Sequence, residues 1–435
     1  MAQFRSDISK LDSGQVKTRY EVFMLSDRLT PAGTLTDAFG RLRISEPLTL
    51  FESQHRYQDN GKWATANNGT SNTQHNLTES SIDMNVGTAN NDYVYRETTK
   101  VFAYQPGKSL LIMNTFAMNE PKANLVQRVG YFGTDNGIYL ENDGATNYIV
   151  LRSNSTGTIT ETKVPQSDWN IDKFDGTGYS AQGTGIEHSG GINVANTNIF
   201  WADIEWLGVG DVRCGFVTDG KLLPAHIFHN DNLRKVPYMT TACLPIRYEI
   251  KNVGTTTSNS KLKQICSVVI SEGGYTIAGK QRSVSGQILS PKDIPTAGTF
   301  VPMVSIRLKA DRLDSIVVPN FVEFIGLTNN ATYRYKIIVG GTLTGASWVS
   351  AGTNSSVEYD LTATAITGGD DVKIGFLNVS AGAGASTIGF QDGLFKFQLE
   401  RNSFTGTPTI FSLVATGSGN GNDGTGSMDW EEIFQ

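Results

Sequence analysis

What most constrains this chain is its punctuation. Runs of about five to eight residues alternate apolar and polar side chains and are repeatedly cut off by Gly, Asn and Asp, and no stretch sustains the period of an amphipathic helix. Residues 108–116 (KSLLIMNTF) read as a buried strand, and 126–132 (VQRVGYF) alternate. Asp135-Asn136-Gly137 turns the chain, 138–141 return, Asn142-Asp143-Gly144 turns it again and 148–152 follow. The same grammar is densest over 198–249. There Phe200, Ala202, Ile204 and Trp206 share one face of a strand, and Trp201, Asp203 and Glu205 share the other. Residues 212–218 and 222–229 flank Asp219-Gly220, a two-residue hairpin signal. Ile246, Tyr248 and Ile250 are expected inward, with Arg247, Glu249 and Lys251 outward. Tight turns without crossover helices build antiparallel sheets, and sheets with one apolar face bury it by pairing.

A chain of 435 residues holds two to four domains at the usual domain size, and 39% hydrophobic residues supply a core for each. The predicted fold is all-β. It comprises a large jelly-roll-like antiparallel sandwich over 65–281, a linker over 282–299 marked by Pro291 and Pro295, and a smaller β-sandwich over 300–416. Residues 1–64 lack a sustained period and read as an extended N-terminal arm or, equally, as an ordinary N-terminal strand pair closed by the Asn60-Gly61 turn. Residues 417–435 read as a Gly/Asn-rich tether (GSGNGNDGTGS) ending in a docking segment, MDWEEIFQ. No period of 20–50 residues marks a repeat array.

Composition narrows the function classes. Charged residues are only 18%, Gly reaches 46, and 36 basic against 42 acidic residues give a net charge of −6 without a basic run. Phosphate-gripping proteins carry the opposite footprint, so nucleic acid is not an expected partner. No run of about 18 apolar residues predicts a membrane span, and residues 1–10 lack the apolar core of a secretory signal. Cys214, Cys243 and Cys266 are too few and too dispersed for a disulfide framework and read as small buried hydrophobes.

Chemistry has few places to reside. Asp203 and Glu205, two apart on one strand, point the same way beside Trp201, which is placed to stack a sugar. The strand resembles the ExDxE strand of jelly-roll glucanases, with Trp201 where that pattern has its first Glu. Trp201, Asp203 and Glu205 are therefore candidate glycan contacts. The plainer reading is a strand face on which the carboxylates pair with Arg213 or Arg247. His226, His229 and Asp231 form an HxxH-type cluster, but residues three apart on a strand face opposite sides, so no metal site is expected. His55, His75 and His188 read as scattered loop residues. Gln54 to Trp63 (QHRYQDNGKW) combines aromatics with planar polar groups, the mixture that holds sugars and also an ordinary feature of turn-rich β proteins. No GxSxG elbow, thiol–imidazole pair or phosphate loop is present. No enzyme activity and no cofactor is expected.

Four pieces taken in order carry a resemblance: TDAFGRLRISEPLTL from Thr36, DIEWLGVGDVR from Asp203, LPIRYEIKN from Leu244 and MDWEEIF from Met428. Together they resemble the virion structural proteins of tailed bacteriophages, particularly those of cyanobacteria and other aquatic bacteria. The resemblance implies a particle component of tail, baseplate or capsid surface, made in the host cytoplasm and resident in the virion. Its partners would be other virion proteins and itself, as a homo-oligomer for which a trimer is the commonest appendage symmetry. It transfers no catalytic residue. On this expectation Phe39, Arg41 and Arg43 in the arm and Trp430 and Phe434 at the C-terminus are the docking residues. A host-surface glycan-binding role is the alternative expectation, with polysaccharide depolymerisation a more distant one.

Overall fold

The computed structural model describes residues 2–10, 16–24, 45–177, 191–218, 220–274, 279–380, 384–389 and 398–433. Among them the chain is all-β, with one 3-10 turn at Gln166–Asp168 and no α-helix, and no helix is long and apolar enough to cross a membrane. Every strand pairing is antiparallel, as the hairpin grammar predicts. Two sandwiches follow one another.

The first packs an eight-stranded sheet on a seven-stranded one. The eight-stranded sheet runs Lys221–Phe228, Val212–Thr218, Asn198–Ile204, Leu110–Ala117, Ser260–Ser271, Ser81–Val86 and Asn72–Asn76, with Leu48–Gln54 also paired to Ser260–Ser271. The seven-stranded sheet runs Thr160–Pro165, Asn147–Ser153, Gly137–Asn142, Leu125–Phe132, Ile246–Asn252, Tyr93–Thr98 and Trp63–Asn68. In each sheet the central neighbours are distant in sequence, Leu125–Phe132 beside Ile246–Asn252 and Leu110–Ala117 beside Ser260–Ser271, while sequential hairpins extend the edges, which is the jelly-roll-like character. The period-two reading holds: Phe200, Ala202 and Ile204 from one sheet and Ile246, Tyr248 and Ile250 from the other are buried in one core.

Between the layers Arg96, 1% exposed, is held by both oxygens of Asp59 at 2.9 and 2.7 Å, by Gln264 at 2.8 Å and by Thr65 at 3.0 Å. A buried guanidinium is tolerated only with partners of this kind.

The second sandwich packs a six-stranded sheet on a five-stranded one. The first orders Val349–Ser350, Val357–Asp360, Val301–Leu308, Phe411–Gly417, Ala331–Val339 and Asp370–Val379. The other orders Lys280–Ser285, Asn422–Glu432, Val317–Gly326 and Gly384–Gly389, with Lys292–Ile294 added along Asn422–Glu432. A loop fastens the two sandwiches. The Ser403 amide donates to the Thr99 carbonyl at 2.9 Å, its hydroxyl reaches the Thr98 carbonyl, and Lys100 pairs with Glu400.

Several expected boundaries are corrected. The tether and docking segment is instead the strand Asn422–Glu432, at the centre of its sheet. Trp430 is fully buried and donates its indole N–H to Glu432 at 3.0 Å, so it is core and not a docking aromatic. The physical reason is close packing: a Cβ on Gly426 would collide with Leu413 and stand 2.9 Å from the Glu323 carbonyl oxygen. Glycine here brings two layers together and does not confer looseness.

The linker 282–299 likewise contributes two strands, and its Ile294 is fully buried. Of the arm, Leu48–Gln54 belongs to the first sandwich, which also takes in Trp63, and Phe51 and Trp63 join its core. The strands Ala2–Lys10 and Val16–Met24 form an antiparallel ribbon that, among the described residues, pairs with no other sheet. Phe39, Arg41, Arg43 and Phe434 lie outside the described residues, as does His188. Cys214 and Cys243 are buried, whereas Cys266 is exposed on the outer side of its strand.

Candidate functional site

The strand Asn198–Ile204 turns its odd-numbered residues away from the core, as period two requires. It leads into a tight loop that returns as Val212–Thr218. The Glu205 amide donates to the Asp211 carbonyl at 3.2 Å, and the Gly210 amide to that of Trp206 at 2.9 Å. Gly208 takes φ +80° in the loop, a region open to glycine, and a Cβ on Gly210 would strike the Glu205 backbone. The loop opens a cleft of about 270 Å³ at this end of the sheet, lined by Tyr104, Lys108, Ser109, Asp203, Glu205 and Arg213 among others.

Asp203 is its most constrained member. Register places Arg213 directly across from it, and the two form an ion pair through Asp203 Oδ2. Oδ1 is buried without a hydrogen-bond partner, and the residue is only 7% exposed. Burial pushes its carboxyl up to about 6, opposed by Arg213 and reinforced by Glu272 and Glu205. Around it, Ser109 donates to Glu272 at 3.2 Å, Lys108 donates to the Gly273 carbonyl at 2.6 Å, and Asp211 meets His229 at 3.1 Å.

The candidates read from the sequence separate here. Asp203 and Glu205 come together in the cleft. Trp201 does not: it is 5% exposed, and its indole N–H donates to the Phe216 carbonyl at 3.1 Å, so its ring face is no stacking platform. The Arg213 pairing holds, while Arg247 lies on the opposite sheet with Glu97 and Glu249.

His226 is buried and accepts from the Asn170 amide at 3.3 Å, with its imidazole pushed down to about 4 by burial and by His229. Among the described residues no group of His, Cys, Asp and Glu is arranged to hold a metal ion. The segment 54–63 engages several of its polar groups within the protein. Asp59 clamps Arg96, Asn60 and the Trp63 indole both donate to Ser53 (2.6 and 2.8 Å), and His55 is a loop residue that is buried, while Gln54, Arg56, Tyr57, Gln58 and Lys62 remain exposed. Tyr104, Lys108, Ser109 and Glu272 escape sequence reasoning, since nothing local ties them to a strand more than 60 residues away.

No family model and no curated protein matches the chain. Among solved structures, the Bacillus licheniformis β-glucanase is similar at 12% identity over 50% of this chain and 96% of its own, with a TM-score of 0.33. The Emp47p carbohydrate recognition domain is similar at 11% identity over 54% of this chain and 99% of its own (TM-score 0.33). Peanut lectin is similar at 10% identity over 53% of this chain and 100% of its own (TM-score 0.31).

Proposed function

We propose that the chain is a non-enzymatic structural component of a tailed bacteriophage particle, at its tail, baseplate or capsid surface, acting by self-association and docking. The observation that carries this reading is the N-terminal ribbon. Among the described residues its nine-residue strands pair only with each other, and an isolated two-stranded ribbon is at best marginally stable in water, so it calls for a surface to rest on. The two sandwiches are joined to each other at Ser403 and at the Lys100–Glu400 pair. Deleting residues 1–24 removes the ribbon and no described strand of either sandwich, so the truncated chain is expected to fold with a β-type circular dichroism spectrum and to be incorporated poorly into particles. Full incorporation of the folded truncation contradicts the reading.

A second reading, a host-surface glycan-binding module, is favoured by the unpartnered Oδ1 of Asp203 lining a cleft with Glu205. A buried carboxylate oxygen without a donor is costly unless a ligand hydroxyl or a water supplies one. Binding without cleavage is the chemistry this arrangement supports: Arg213 fixes Asp203 as an acceptor, and the position two residues before it is a buried Trp rather than a third carboxylate. Asp203→Asn should weaken adsorption to host envelopes at least tenfold, while polysaccharide incubated with the native chain should yield no reducing ends. Sugar release lost in Asp203→Asn and Glu205→Gln would make the chain a depolymerase instead.

A further inference from the structure

We infer that the first sandwich carries a separate binding site for a neutral, polyhydroxylated glycan, in the cleft between the strands Asn72–Asn76 and Ser81–Val86 and the start of Ser260–Ser271. Five residues with side-chain carboxamides, Asn72, Gln74, Asn85, Asn119 and Asn259, line this cleft of about 480 Å³. Asn85 donates to Asn72 at 3.0 Å, and Asn119 donates to the Glu120 carbonyl at 2.7 Å and accepts from the Lys261 amide at 3.2 Å, so Gln74 and Asn259 are the ones placed to meet a ligand. The cleft lies at the other end of the sheet from Asp203. Ser109 lines one cleft and Asn119 the other, at opposite ends of the strand Leu110–Ala117, so they are ~30 Å apart at the usual rise per residue.

The lining decides the ligand chemistry. A carboxamide offers a donor and an acceptor in one plane, which matches a pair of adjacent hydroxyls, each itself both donor and acceptor. None of the lining residues is a carboxylate, and the one ammonium, of Lys261, is held by Asp83 at 2.7 Å. The cleft is thus close to neutral, unlike the carboxylate-rich one around Asp203. The Ser260 hydroxyl adds a further polar atom, buried and without a partner. No aromatic ring lines the cleft, so affinity comes from hydrogen bonds that replace those to water, and a dissociation constant of order 1 mM per site is expected. Repetition of the chain on a particle would raise that through avidity.

The test uses the full chain, titrated by saturation-transfer NMR with laminarihexaose, maltohexaose and chitohexaose in its N-acetylated form, and with a galacturonic acid hexamer as the charged control. Gln74 and Asn259 are exposed, so the double substitution Gln74→Ala, Asn259→Ala is expected to leave folding unchanged, checked by circular dichroism. The expected result is millimolar binding of at least one neutral hexamer. That binding should be unchanged between 50 and 500 mM salt, weakened at least tenfold in the double variant, and kept within twofold in Asp203→Asn. The inference is overturned if no neutral hexamer binds, if only the uronic acid binds, or if binding survives the double variant. Loss in Asp203→Asn alone would also overturn it and would place the glycan in the other cleft.

Discussion

Asp203 shows how one side chain records a trade between fold and site. Its carboxyl is raised from 3.8 to about 6 by burial, against the pull of Arg213, so the folded state binds this proton more tightly than the unfolded state does. Stability from this group is complete below pH 3.8 and is lost as pH rises through 6. Asp203→Asn removes the charge and keeps the shape. In urea titrations the variant should therefore gain on the native chain between pH 4 and pH 7, by about 1–3 kcal/mol. An unchanged difference across that range would mean the carboxylate is not desolvated. Trp430 is a simpler case. A fully buried indole with its N–H on Glu432 is expected to cost about 3–5 kcal/mol when replaced by Ala, whereas a docking aromatic would cost the fold almost nothing.

Among the strands, Asn422–Glu432 is the instructive one. Glycines at 424 and 426 suit it to a position where Phe324 and Leu413 press against the backbone. Gly426→Ala is expected to destabilise the second sandwich by about 1–3 kcal/mol, read from its urea midpoint; a change below 0.5 kcal/mol would mark the segment as loose. Here the limit of the sequence becomes physical. Strands with a clean two-residue period, such as 198–204 and 246–252, were legible because core and solvent faces differ in chemistry. Asn422–Glu432 hid behind its glycines, while Lys280–Ser285 and Lys292–Ile294 expose mostly polar residues and contribute few apolar side chains. Of the site, the shared face of Asp203 and Glu205 was visible. Burial of Trp201 was not, since it depends on what the fold lays over that face, and Tyr104, Lys108, Ser109 and Glu272 arrive only through sheet topology.

For the molecule as a whole, pH response should be dominated by groups buried neutral. His55 and His226 are both pushed down from 6.5 to about 4, His55 by burial and then by Arg96, His226 by burial and then by His229. Their depressed values contribute stability that is present above pH 6.5 and lost as pH falls through 4, each on the order of 3 kcal/mol. Thermal unfolding should therefore shift downward between pH 6.5 and 4, and His226→Gln should flatten part of that slope. Glu161 extends the loss below pH 4.5. Burial would raise it, but hydrogen bonds from Tyr139 and Arg152 outweigh that and hold it near 2. Two sandwiches are joined through Ser403, and among the described residues the ribbon pairs with neither; on the proposed function this block adheres to copies and neighbours. Electron cryomicroscopy of purified tailed particles that encode this chain tests that claim most directly. The account predicts both sandwiches at a symmetric set of positions on the particle, with residues 2–24 seated on an adjoining subunit; particles that lack the chain altogether would contradict it.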